Sequence, residues 1–190
     1  MQAMGFSAAT AHADPTRRRV LALGLAAAGF GIALQEARAA HMVRPWMSGR
    51  RAPALELSDL DGKRWNLSGL HGQVVVLNFW ATWCEPCRSE MPTLELLAQR
   101  HEHDGLAVIA VNFKEPVGAI RRFLEAQPVS IPILLDADGD ATAAWTPRVF
   151  PTTVLVDRQG QPQTVVLGEM DWMGSEARTL LQPLLARRST

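Results

Sequence analysis

The 190-residue chain carries 19 Lys and Arg against 19 Asp and Glu, a formal net charge of zero. It has no dense basic patch with interleaved aromatics, which argues against a nucleic-acid partner. With 47% hydrophobic residues, this length supports one domain with a substantial core rather than a disordered chain.

The N-terminus reads differently from the rest. Arg17, Arg18 and Arg19 precede an uncharged apolar run from Val20 to Leu34, and Ala37-Arg38-Ala39 supplies the small residues of a signal-peptidase site. The run falls short of the roughly 20 residues needed to span a bilayer. Residues 1–39 are therefore expected to be an export signal delivering the domain to the periplasm, or an inner-membrane anchor if it stays uncleaved. The arginines after Thr16 also resemble a twin-arginine signal, and ordinary secretion stays open beside it. Export matters because disulfides persist outside the cytosol.

Residues 40–52 lack periodicity and are expected to be a linker, followed by a domain over 53–187. "ALELSDLDGKRWNLS" reads as a hairpin around Asp61-Gly62. "VVVLNFWA" (74–81) is a continuous apolar run of the kind found in strands buried on both faces. A helix is expected from the cysteine pair onward, with Cys87, Met91, Leu94 and Ala98 on its apolar side and Gly105 as terminator. "LAVIAVNF" (106–113) predicts a second buried strand. Val117, Ile120, Phe123 and Leu124 mark a helix ending before Pro128. "IPILL" predicts a short strand and "DADGDATAAW" a turn into a helical piece. "TTVLVD" (152–157) and "QTVVLGE" form a hairpin, and Ala177, Leu180, Leu181, Leu184 and Leu185 describe a closing helix. Strands alternating with helices, then a hairpin, imply an α/β fold with a mixed central sheet flanked by helices on both faces.

"NFWATWCEPCRSEMP" (78–92) holds the chain's two cysteines. A structural zinc site wants four ligands, and no second cysteine pair exists. His101 and His103 point apart on a helix. Haem attachment needs histidine after the second cysteine, where this chain has Arg88. A purely structural disulfide over so small a ring contributes roughly 2 kcal/mol, against about 4 to 5 for a loop of a hundred residues. Redox chemistry explains the spacing better, because thiols one helical turn apart can join and part while little else moves. Cys84, where a buried strand ends and a helix starts, gains thiolate character from unpaired backbone N–H groups and the helix dipole. Pro86 suits a first helical turn. Cys87, one turn in, should be shielded. Cys84 is thus expected to face solvent and attack a substrate disulfide, and Cys87 to resolve the mixed disulfide.

"VVVLNFWATWCEPC" resembles the active-site strand and turn of the thioredoxin superfamily, and "NFWATW", W-C-E-P-C and the N-terminal hairpin resemble its TlpA/ResA-like branch. The resemblance covers residues 53 to about 186. It implies a thioredoxin-like fold, with an N-terminal β-hairpin and a central insertion between Lys114 and Pro147. Pro92 falls where these proteins kink the active-site helix, and "FPTT" (150–153) matches their cis-proline segment. Pro151 would be that proline, presenting the Phe150 backbone to an extended substrate beside Cys84, although a trans proline opening a strand is the ordinary alternative. Trp83 is expected to be partly exposed there, and Trp80 reads as a core aromatic.

The resemblance further implies an exported protein disulfide reductant acting on a disulfide-bearing protein, such as apocytochrome c or a copper-receiving protein. It implies re-reduction by a membrane thiol reductase of the DsbD/CcdA type, and no resident metal or cofactor.

One departure stands out. Thioredoxins place a buried aspartate in the strand before the pair; the matching residue here is Asn78. Glu85 is therefore expected to carry part of the proton handling, its charge opposing the Cys84 thiolate and favouring a reductant. Glu115 is a second candidate.

Two other functions fit these residues less well. Peroxiredoxins carry a P-x3-[ST]-x2-C pattern, whereas here Thr82 lies two residues before Cys84 and Leu77 stands at the proline position. Copper delivery through two thiolates is chemically reasonable, but Sco-like carriers use a Cx3C pair with a distant histidine, and no histidine follows His103.

Overall fold

The computed structural model describes residues 41–47 and 49–186; the export signal expected over 1–39 lies outside them. Strand β1 (Met42–Pro45) is followed by a hairpin of β2 (Glu56–Ser58) and β3 (Arg64–Asn66) and by a short 3-10 turn. Then come β4 (Val74–Trp80), α1 (Glu85–Arg100), β5 (Leu106–Phe113), α2 (Val117–Ala126), β6 (Ile133–Asp136) and α3 (Asp140–Trp145). The chain closes with β7 (Thr152–Val156), β8 (Pro162–Leu167) and α4 (Ser175–Ala186).

Six strands form one sheet in the order β1-β8-β7-β4-β5-β6. β4, β5 and β6 run parallel, while β7, β8 and β1 add antiparallel neighbours. β4 lies at the centre, and all seven of its residues are buried. Its pleat divides the core. Val74, Val76 and Trp80 face a cluster with Met91, Leu94 and Leu97 of α1, Ile120 of α2 and Leu181 of α4. Val75, Leu77 and Phe79 face Trp145 of α3, Leu55 and Leu70. Each such side chain contributes roughly 1.5–3 kcal/mol by leaving water. Helices thus flank both faces, unevenly.

The insertion between Lys114 and Pro147 supplies α2, β6 and α3, and β6 becomes an edge strand of the main sheet. The β2–β3 hairpin forms a separate small sheet, bridged to β6 between Asp59 and Leu134.

The linker expected over 40–52 is corrected. Met42–Pro45 pairs antiparallel with β8 as the sixth strand, and Trp46 extends the pairing through its N–H to the Gln163 carbonyl. The strand is short and mostly exposed, so it carries no alternating pattern; backbone pairing and the seating of Val43 on the core hold it. The active-site helix ends at Arg100, before Gly105, whose φ of +70° turns the chain into β5.

Candidate active site

The chain leaves β4 at Trp80 and turns through Ala81, Thr82 and Trp83 into α1, which Cys84 caps. The Cys84 Sγ accepts from the Cys87 N–H at 3.3 Å, and the Cys84 carbonyl accepts from the Arg88 N–H at 3.2 Å. Pro86 sits in the first helical turn, where a missing N–H costs nothing. Cys84 and Cys87 are joined as a disulfide, S–S 2.08 Å, with their Cα atoms 5.3 Å apart. The sulfur at the helix start therefore sits against unpaired amides and the positive end of the dipole.

Burial corrects one expectation. Cys84 is 6% exposed and Cys87 fully buried, so the order from surface to core is as expected, but Cys84 does not face open solvent. Its bond to Cys87 and its place in the apolar cluster draw it in.

Glu115, past the end of β5, fixes the turn. Its carboxylate accepts from the Thr82 N–H at 2.6 Å, from the Thr82 hydroxyl, and from Asn112 Nδ2 at 2.7 Å. The Thr82 hydroxyl is thereby spent on Glu115.

An aromatic face flanks the disulfide. Trp83 is 64% exposed and meets Phe150 edge-on with ring centroids 5.7 Å apart, and Phe113 packs on the other side of Phe150 at 5.2 Å. The Phe150–Pro151 peptide bond is cis. The Pro151 carbonyl accepts from the Gly168 N–H at 2.9 Å, tying this segment to β8. Trp80 is fully buried against Phe123.

Glu85 is not where proton handling requires it. Its side chain is 73% exposed and pairs with Arg88, the ordinary behaviour of an acid in a first helical turn. A different carboxyl, which the sequence reading passed over, lies inside. Glu90 is 1% exposed, three residues beyond Cys87 on the same side of α1. Oε1 accepts from Asn78 Nδ2 at 2.6 Å, and Oε2 accepts from the Met170 N–H at 3.2 Å and the Trp172 indole at 3.3 Å. Burial pushes its pKa up to about 8, against the lowering effect of these donors. A signal existed: Glu90 lies between Cys87 and Leu94 on the helix face read as apolar, where an acid is out of place.

With a disulfide at a helix N-terminus, after a buried central strand and beside a cis-proline loop, the protein is a thiol–disulfide oxidoreductase of thioredoxin-like fold. The AhpC/TSA family model matches residues 48–164. The thiol-disulfide oxidoreductase ResA of Bacillus subtilis is 38% identical over 122 residues, 64% of this chain and 68% of the relative. A solved structure described as the thiol:disulfide interchange protein DsbE of Chlorobium tepidum matches at TM-score 0.67 and 28% identity, covering 73% of this chain and 97% of that one. A secreted thiol-disulfide isomerase of Corynebacterium glutamicum matches at TM-score 0.65 and 25% identity, covering 77% and 93%. The chain belongs to the AhpC/TSA family, among its ResA-like thiol–disulfide oxidoreductases.

Proposed function

We propose that this oxidoreductase acts outside the cytosol as a reductant of protein disulfides, with Cys84 as nucleophile and Cys87 as resolving thiol. The observation that carries the reading is the Cys84–Cys87 disulfide at the start of α1, with the buried Glu90 one helical turn beyond Cys87.

In the reduced protein, the Cys84 thiolate attacks one sulfur of the substrate disulfide, forming a mixed disulfide, and the departing substrate thiolate takes a proton. The Cys87 thiol then passes its proton to Glu90 and attacks Cys84 Sγ, which releases the second substrate thiolate. Two electrons have moved to the substrate, and Cys84 and Cys87 are left as the disulfide. A carboxyl raised to about 8 is the state expected after this transfer, holding its proton at neutral pH.

A carboxyl one helical turn from Cys87 also disfavours a stabilised thiolate, which makes the dithiol a better reductant. Exposed Trp83, half-buried Phe150 and the buried Pro151 beneath them form the docking edge, Phe150 offering its backbone to an extended chain; Pro86 keeps the cysteine turn in place. The ResA-like relationship supports apocytochrome c or a copper-receiving protein as substrate and a membrane thiol reductase of the DsbD/CcdA type as electron donor. The arginine, apolar and alanine pattern of residues 17–39, and the secreted character of the Corynebacterium relative, support export to the periplasm.

The test pairs insulin reduction with trapping. Cys87→Ser should accumulate a mixed disulfide with a protein substrate, and Cys84→Ser should accumulate none. Turnover surviving in Cys84→Ser would overturn the assignment.

A further inference from the structure

The Glu90 carboxyl bonds to donors. Oε1 accepts from Asn78 Nδ2 at 2.6 Å, and Oε2 from the Met170 N–H and the Trp172 indole. None of these three groups can accept the proton that a carboxylic acid carries. Beside them stands an acceptor without a donor: Asn78 Oδ1 is buried and hydrogen-bonded to nothing among the described residues. The bonds around Glu90 thus suit a carboxylate, although a carboxyl this buried keeps its proton at neutral pH.

One movement brings the unused acceptor and the unplaced proton together. A half-turn of the Asn78 amide about Cβ–Cγ exchanges Oδ1 and Nδ2, two atoms of similar outline, so the surrounding core need not move. Oδ1 then meets Glu90 Oε1 and takes its O–H. Thr153 of β7 suits either orientation, because its hydroxyl, 2.9 Å from Asn78 Nδ2, can accept from nitrogen or donate to oxygen. The nitrogen inherits the unpaired place that the oxygen leaves. The turn therefore removes one of two unpaired groups from a site where each is costly.

The other charged groups near Glu90 lie to its outside. Glu169 and Asp171 of the loop after β8, Glu176 of α4 and His41 before β1 share a groove with it, and His41 Nε2 lies 2.9 Å from Glu176 Oε2. The Glu169 charge further favours the acid. On α1 itself, Glu85 and Arg88 pair in solvent.

We propose that Asn78 is a positioning residue whose amide turns over with the Glu90 proton, giving its nitrogen to the carboxylate and its oxygen to the acid. The inference rests on the reading of Glu90 as the proton partner of Cys87. On oxidation, Cys87 passes its proton to Glu90 and attacks Cys84 Sγ, and the amide turns its oxygen to the new acid. On reduction, a donor dithiol gives its protons to water. Its first thiolate attacks Cys84, and Cys87 leaves as a thiolate and takes the proton back from Glu90. The donor's second thiolate then displaces Cys84, and the amide returns its nitrogen to the carboxylate. The proton is lent and returned, and Asn78 holds Glu90 in both forms.

The test follows the side-chain amide of Asn78 and the carboxyl carbon of Glu90 by NMR in the labelled full chain. In the oxidised protein, the Asn78 Nδ2 protons should move downfield as pH rises through about 8, in step with the Glu90 carbon. Reduction at neutral pH should move them in the same direction. In Glu90→Gln, the pH dependence of the Asn78 signals should vanish. Asn78 protons that stay still while Glu90 titrates, or that still respond to pH in Glu90→Gln, overturn the amide turn and leave the dithiol mechanism standing. A Glu90 that holds no proton at neutral pH in the oxidised protein would instead overturn the reading of Glu90, and the turn with it.

Discussion

Asn78 on β4 donates its Nδ2–H to Glu90 Oε1 on α1 at 2.6 Å, tying the central strand directly to the helix that carries both cysteines. A neutral amide at this place lets one buried carboxyl stand alone and keep its proton. Replacing it with Asn78→Asp would set two carboxyls within hydrogen-bond distance, sharing one proton and titrating as a coupled pair. The expected outcome is a second, more acidic step in the pH profile of Cys84 alkylation, with little change in the fold by circular dichroism. A profile identical to wild type would show that Glu90 and the thiols are not coupled through this contact.

The same carboxyl makes stability depend on pH. Between its ordinary value of 4.5 and about 8, folded Glu90 holds a proton that the unfolded chain has released. Stability contributed by Glu90 is therefore full below about pH 4.5 and is lost as pH rises through about 8. The loss amounts to about 5 kcal/mol at most. Urea unfolding of the oxidised protein at pH 5 and pH 9 should show this decline, and Glu90→Gln should flatten it.

Glu115 holds the turn before Cys84 through Thr82 and Asn112. Glu115→Ala strands the Thr82 N–H and the Asn112 amide in a partly buried place, at a cost of about 2 kcal/mol. The urea midpoint should fall accordingly. The single-turnover rate with insulin should fall too, because the strand end that aims Cys84 loosens; Glu115→Gln, which keeps an acceptor, should recover part of both.

Arg158 serves as an internal control far from the dithiol. Its guanidinium donates to the carbonyls of Gly72 at 2.6 Å, Asp104 at 2.9 Å and Leu185 at 3.3 Å, joining the loops at the foot of the sheet to the end of α4. Arg158→Met should lower stability by about 2–3 kcal/mol while Cys84 alkylation in the folded protein stays unchanged. Arg158→Lys should not restore the loss, since an ammonium lacks the planar fork whose two terminal nitrogens reach the carbonyls of separate loops.

The parts of the fold legible in the sequence are those with a strong local pattern. The unbroken apolar runs of β4 and β5 and the cysteine turn into α1 needed no tertiary information. β1 escaped because a four-residue exposed edge strand is defined by its partner β8 and not by its own residues. At the site, Cys84, Cys87, Trp83, Phe150 and Pro151 were readable from motif and position. Glu85 drew attention by adjacency in sequence, yet adjacency on a helix turns neighbours to different faces. Glu90 lies one turn beyond Cys87 and faces inward, and only the packing of Trp172 and Met170 reveals how fully it is enclosed.

The most direct measurement is alkylation of the freshly reduced protein by iodoacetamide at neutral pH, with each cysteine followed separately by mass spectrometry. The account predicts that Cys84 is modified first and that Cys87 stays protected until the chain unfolds. Labelling that favours Cys87, or that reaches neither sulfur in the folded protein, would contradict it.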